Sequence, residues 1–197
     1  QAAYFGKRVA LVERAPYLGG AGINTGTLPS KTLRETALYF SGLRQRGLYG
    51  IDYSLKDGLT VADFMHRKDV GIGSERELIE ANLARHGIAV WHGQASLRDA
   101  HTVLVQGNDG EQALTADVIL IATGSSPAIP PIPGLERVPF LTNETVFDLA
   151  ECPAHLIVVG AGPMGLELAQ AFRRLGAAVT VLEAGTALAH EDSECAR

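Results

Sequence analysis

One stretch constrains the fold more than any other: "HLIVVGAGPMGLELAQAFRRLGAAVTVLEAG", residues 155–185. His155 to Val159 is a short apolar run, as expected of a buried parallel strand. Gly160, Gly162 and Gly165 follow at once in a GxGxxG pattern. Met164 to Arg174 then has helical spacing, with Leu166, Ala169 and Phe172 on one side. Gly176 ends that helix, and Val179 to Leu182 forms the next strand, closed by Glu183. The glycines alone are a weak signal. Strand, glycines, helix, strand and acid in this order are a strong one.

The order has a physical logic. Gly160 permits a tight turn, Gly162 lets backbone approach a pyrophosphate, and Gly165 lets the helix pack on the strand. Free N–H groups and the helix dipole at the helix start stabilise the anion. Glu183 would accept hydrogen bonds from the ribose of a bound dinucleotide. The competing reading is a tight structural turn with no ligand.

The start of the chain repeats the end of this unit. Gly6, Val9 and Glu13 of "GKRVALVE" align with Gly176, Val179 and Glu183 of "GAAVTVLE" at a constant offset. "QAAYFGKRVALVE" therefore reads as a helix end, a glycine turn and a strand. Two dinucleotide folds are implied, and the first has no glycine motif within this chain. The expectation is a fragment lacking its natural N-terminus.

Between the repeats, a helix is expected from Thr27 to Arg44, with Pro29 in its first turn and Thr27 as a possible cap. Val61 to His86 is helical in part, interrupted by Gly71 and Gly73 at about 1 kcal/mol each relative to Ala. Short strands are expected near Ile88–Trp91 and Thr102–Val105, and "GNDG", residues 107–110, is a hairpin signal. Val118 to Ile121 reads as a buried strand running into "ATGSSP", and "PAIPPIPG", residues 127–134, as a connection between domains. The fold class is α/β: two Rossmann-like domains with parallel sheets, 1–149 and 150–197, plus a small antiparallel β-meander.

Composition excludes little. A net charge of −5 argues against a nucleic-acid partner. No apolar run approaches the roughly 18–20 residues of a membrane span, and no signal peptide is visible. Cys152 and Cys195 fit no CxxC or zinc spacing, which points to a reducing, cytoplasmic setting. The histidines show no metal-ligand spacing; His66, His86, His92 and His101 read as surface or packing residues, and Glu75, Arg76 and Glu77 as a solvated helix face. No metal is expected.

With both repeats placed, the chain resembles the FAD- and NAD-binding part of the pyridine nucleotide-disulfide oxidoreductases, which include dihydrolipoamide dehydrogenase and glutathione reductase. The run "NTGTLPSKTLRETALYFSG" is most similar to the soluble, Si-specific pyridine nucleotide transhydrogenases of that family. The family loop reads GGxCxNxGCxPSK; here, in "GGAGINTGTLPSK", Gly22 and Thr27 stand where its two redox cysteines would be. A hydrogen or a hydroxyl cannot form a disulfide, so the resemblance implies a loop that only cradles flavin.

Site roles follow from the resemblance, position by position. Glu13 would bind the FAD adenosine ribose. Gly19, Gly20 and Thr27 would belong to the cradle, and Lys31 would sit beside the reactive edge of the ring. Glu167 would pair with Lys31, and breaking a partly buried pair costs on the order of 3–5 kcal/mol. The backbone of Gln94 and Ala95 resembles the adenine contact, and Thr123–Gly124 a second FAD-contacting turn. Gly160, Gly162, Gly165 and Glu183 would hold NAD(P).

Plainer readings exist for several of these. A lysine at a helix start is ordinarily solvated, Glu13 could be a loop acid, and Thr27 only a cap. "GTLPSKT" slightly resembles a P-loop, but Ser30 stands where glycine must precede the lysine.

The implied activity is FAD-dependent hydride transfer between NAD(P)H and NAD(P)+ without a redox disulfide, in a homodimer or higher oligomer. An NADH oxidase, diaphorase or quinone reductase on the same scaffold is an alternative, because Glu183 favours NAD over NADP. A disulfide reductase with cysteines elsewhere is another. A non-catalytic NAD-binding or interaction module is the third.

Overall fold

The computed structural model describes residues 1–42, 61–188 and 194. Cys195, and the end of the helix expected to reach Arg44, lie outside the described residues. Helix α1 covers Gly20–Asn24, α2 Thr27–Gly42, α3 Val61–Arg85 and α4 Pro163–Leu175. Strands are β1 Ala10–Glu13, β2 Ala89–His92, β3 Gln94–Asp99, β4 Thr102–Gly107, β5 Gly110–Thr115, β6 His155–Val159 and β7 Ala178–Leu182. The architecture is mixed α/β, with two parallel strand pairs and an antiparallel meander.

The chain forms two compact units of interleaved segments: residues 1–24 with 72–126, and residues 25–71 with 127–197. A single cut at 149/150 was expected from the sequence. Residues 25–71 group with the second repeat because α2 packs on α4.

In the first unit β1 pairs with β2 in parallel, Ala10 opposite Ala89 and Glu13 opposite His92. The meander β3-β4-β5 follows. Its β4–β5 turn joins Gly107 to Gly110 through Asn108 and Asp109, the two-residue hairpin the sequence signalled. Asp99 closes the β3–β4 turn by accepting the His101 N–H at 2.9 Å.

The second unit pairs β6 with β7, His155 opposite Ala178 and Val159 opposite Leu182. Its core joins Leu33 and Ala37 of α2, Met65 of α3, Val146 and Phe147 of a short 3-10 turn, Ala171 and Phe172 of α4, and Ala177. Leu33 and Phe172 are fully buried.

Several expectations are corrected. Val118–Ile121 forms no strand: no strand among the described residues pairs with it, and Val118, Leu120 and Ile121 are 66–86% exposed. β6 is covered on one face only, leaving Ile157 and Val159 exposed, so apolar composition overstated its burial. α3 runs unbroken through Gly71 and Gly73; buried Met65, Lys68 and Ile72 hold the helix where local propensity is poor. Thr27 lies inside the first turn of α2 rather than capping it, because the Ser30 N–H bonds to the Gly26 carbonyl at 3.0 Å.

Candidate functional site

The glycine turn of the second unit has the geometry its sequence requires. Gly160 adopts φ +103°, a left-handed conformation that side chains disfavour. A Cβ on Gly165 would collide with the Gly160 carbonyl oxygen and touch Val158, so only glycine lets α4 start this close to β6. Gly162 differs: a Cβ there would meet nothing within 4 Å. Packing does not demand glycine at 162, and the open space lies at the N-terminus of α4, which has no side-chain cap. Orphan N–H groups beside open space suit a pyrophosphate.

Glu183, at the end of β7, folds back over this turn. Its Oε2 accepts the Ala161 N–H at 2.7 Å and its Oε1 accepts the Gly185 N–H at 3.0 Å. A carboxylate oxygen can accept more than one hydrogen bond, which is the chemistry that ribose hydroxyls need.

Lys31 and Glu167 meet within the same unit. Lys31 Nζ donates to Oε1 at 2.8 Å and to Oε2 at 3.0 Å. Both residues lie near helix starts, on α2 and α4, and the packing of these helices brings them together. The Lys31 side chain is 57% exposed and that of Glu167 16%. The sequence-based figure for breaking the pair therefore falls to about 1 kcal/mol, the upper end for exposed pairs. Buried Ser30, which the sequence offers only as a mismatch to the P-loop pattern, lies 3.4 Å from Glu167 Oε2 and 3.3 Å from the Thr27 carbonyl. Its place one residue before Lys31 was the available signal.

In the first unit, Glu13 and Gln94–Ala95 gather at the C-terminal end of the parallel pair, where open α/β sheets bind ligands. The Gly93 N–H bonds to the Glu13 carbonyl at 3.0 Å, and Glu13 Oε1 accepts the Ala15 N–H at 2.9 Å. Gly19 and Gly20 are both left-handed, at φ +100° and +55°. A Cβ on Gly19 would clash with Ile23, whereas at Gly22 it would meet open space. Thr123–Gly124 lies in irregular backbone, with Gly124 at φ +70°.

Arg76 is not a solvated residue as its neighbours suggested. Its Nε donates to Asn24 Oδ1 at 2.8 Å, and its guanidinium carbon lies 3.7 Å from the centre of the Tyr17 ring. Helical spacing could not reveal this, because the partners come from a distant loop. Among the described residues, no group of three or more His, Cys, Asp or Glu side chains could hold a metal, and no helix is long and apolar enough to cross a membrane.

These features define a dinucleotide-binding α/β protein. The chain belongs to the pyridine nucleotide-disulphide oxidoreductase family, whose sequence pattern matches residues 1–197. That family and its transhydrogenase members use FAD and NAD(P). The chain is 43% identical over 183 residues to the soluble pyridine nucleotide transhydrogenase of Mycobacterium bovis (strain BCG / Pasteur 1173P2), covering 92% of this chain and 39% of that protein. It is 38% identical over 197 residues to the mercuric reductase of Shewanella putrefaciens, covering 98% of this chain and 35% of that protein. Among solved structures, the Cu(II) complex of the HOCl-induced flavoprotein disulfide reductase RclA from Escherichia coli superposes with a TM-score of 0.80 at 32% identity, covering 98% of this chain and 41% of that one. The chain thus spans well under half the length of these relatives.

Proposed function

We propose that the whole protein is an FAD-dependent oxidoreductase that moves hydride between NAD(P)H and NAD(P)+ without a redox disulfide. The carrying observation is the cradle: Gly22 and Thr27 occupy its two cysteine positions, while the Lys31–Glu167 pair stands at 2.8 Å. FAD, when bound, supplies hydride acceptance and return, one nicotinamide at a time.

The chain's residues bind and orient. Gly160, Gly162 and Gly165 shape the turn that receives the nicotinamide dinucleotide's pyrophosphate, and Glu183 accepts its ribose hydroxyls. Glu13, Gly19, Gly20, Thr27, Gln94, Ala95, Thr123 and Gly124 serve FAD. Lys31, anchored by Glu167, supplies fixed positive charge at the ring. Residues 1–149 are assigned to FAD and 150–197 to NAD(P).

Steady-state kinetics of the whole protein, with NADPH and a thionicotinamide acceptor, tests this. Parallel double-reciprocal lines are expected; intersecting lines overturn the double displacement. A second reading, an NADH diaphorase or quinone reductase, draws on Glu183. Its carboxylate would face the 2′-phosphate of NADP, and such like-charge contact costs several kcal/mol. An NADH-over-NADPH preference together with quinone turnover favours it.

A disulfide reductase using Cys152 has less support. That thiol is half-buried, and burial pushes its pKa up against a smaller opposing effect of the Ala177 N–H. The thiolate nucleophile is thereby disfavoured. A non-catalytic NAD-binding module would yield colourless protein that still binds NADH.

A further inference from the structure

We propose that Arg76 is the positioning residue of the cradle loop, holding residues 17–24 in the shape that receives the cofactor. The assignment to a cofactor rests on the flavoprotein reading above; the clamp itself rests on contacts within one compact unit.

Among the described residues, few buried groups belong to this loop. α1 has five residues, none of them buried, and helices this short are not self-sustaining. It is preceded by Gly19 and begins with Gly20, both left-handed and both without a side chain to pack. The position of Gly22 faces open space. Within this segment, Leu18 is the buried apolar anchor, at 8% exposure.

Against this, the amide of Asn24 is committed on every side. Its Nδ2 donates to the Leu18 carbonyl at 3.0 Å and to the Gly20 carbonyl at 2.9 Å. Its Oδ1 takes the Arg76 Nε–H at 2.8 Å. Turning the amide over would set its NH2 group against the guanidinium and its oxygen against two carbonyls, so Arg76 fixes which way Asn24 points. The same guanidinium stacks over Tyr17, 3.7 Å from the ring centre. One side chain from α3 therefore ties down both Tyr17, two residues before the glycine pair, and Asn24, four residues after it. A bond from a charged donor is stronger than a neutral one, and a planar fork can stack and donate at once where an ammonium cannot.

The test uses the whole protein and the variants Arg76→Ala, Arg76→Lys, Tyr17→Leu and Tyr17→Phe. The readouts are amide hydrogen exchange at residues 19–24, the FAD dissociation constant and the visible circular dichroism of bound flavin. Arg76→Ala is expected to speed exchange at 19–24 and weaken FAD binding, each about tenfold, and to change the flavin dichroism. Arg76→Lys and Tyr17→Leu fall between it and the parent, and Tyr17→Phe, which keeps the ring, matches the parent. A lowered melting temperature in Arg76→Ala, with exchange at 19–24 and flavin dichroism both unchanged, overturns the proposal. Should the parent protein take up no flavin, the flavoprotein reading fails, and the exchange rates alone still decide whether the clamp exists.

Discussion

The two repeats, residues 2–15 and 172–185, have the same local design and different surroundings. In each, a glycine with positive φ ends a helical turn, Gly6 at +77° and Gly176 at +115°. In each, the next residue's N–H reaches back five positions, Lys7 to the Ala2 carbonyl at 3.2 Å and Ala177 to the Phe172 carbonyl at 3.1 Å. This is the Schellman pattern. In each, the closing acid accepts the N–H two residues on, Ala15 at 2.9 Å and Gly185 at 3.0 Å. They diverge where other segments arrive. Glu183 has a further anchor on Ala161 of the glycine turn. Phe172 is fully buried, whereas the aligned Ala2 is exposed. Short-range sequence sets the turn and the strand; neighbours brought by the fold set burial and the second anchor.

The comparison can be broken at five points, in falling order of effect. Phe172→Ala should destabilise by about 3–5 kcal/mol, as for a buried aromatic, while Ala2→Gly shifts the melting temperature little. Equal shifts in thermal unfolding would deny that burial separates the repeats. Gly165→Ala, which drives a Cβ into the Gly160 carbonyl, should cost about 1–3 kcal/mol and weaken NADH binding in a fluorescence titration. Glu183→Ala should cost about 1 kcal/mol and exceed Glu13→Ala, since among the described residues Glu183 accepts the N–H groups of both Ala161 and Gly185, while Glu13 accepts that of Ala15. If Glu13→Ala is the more damaging in urea unfolding, the anchors are not what matters.

Lys31→Met should cost at most about 1 kcal/mol, and its difference from the parent should shrink as salt screens the exposed pair. A salt-independent difference would point to packing of the lysine stem instead. The smallest effect belongs to Asp99, whose carboxyl is held below its ordinary range chiefly by the His101 N–H. A depressed folded pKa contributes stability above the ordinary value, and that stability is lost as pH falls through the folded value. Exchange protection at the β3–β4 turn, taken relative to the intrinsic amide rate at each pH, should therefore fall on acidification in the parent and stay level in Asp99→Asn.

Much of the fold was legible. β6, the glycine turn, α4 and β7 follow the sequence within a residue or so, because strand, glycine and helix signals agree there. The failures have physical causes. Val118–Ile121 has strand composition but no partner strand among the described residues. Gly71 and Gly73 have poor helix propensity but sit in a helix held by its neighbours. At the candidate site, the Lys31–Glu167 pairing was expected from family resemblance and the distance agrees. The Arg76–Asn24–Tyr17 contacts had no local signature.

The sequence by itself determined the repeated turn-strand-acid unit, the glycine turn and the absence of cysteine at positions 22 and 27. These depend on backbone conformations and side-chain chemistry that one residue or its near neighbours dictate. The tertiary structure decided which apolar faces are covered, that α2 packs with the second repeat, and which partners Arg76 and Glu183 hold. Those outcomes depend on segments far apart in the chain meeting in space, which no local pattern encodes.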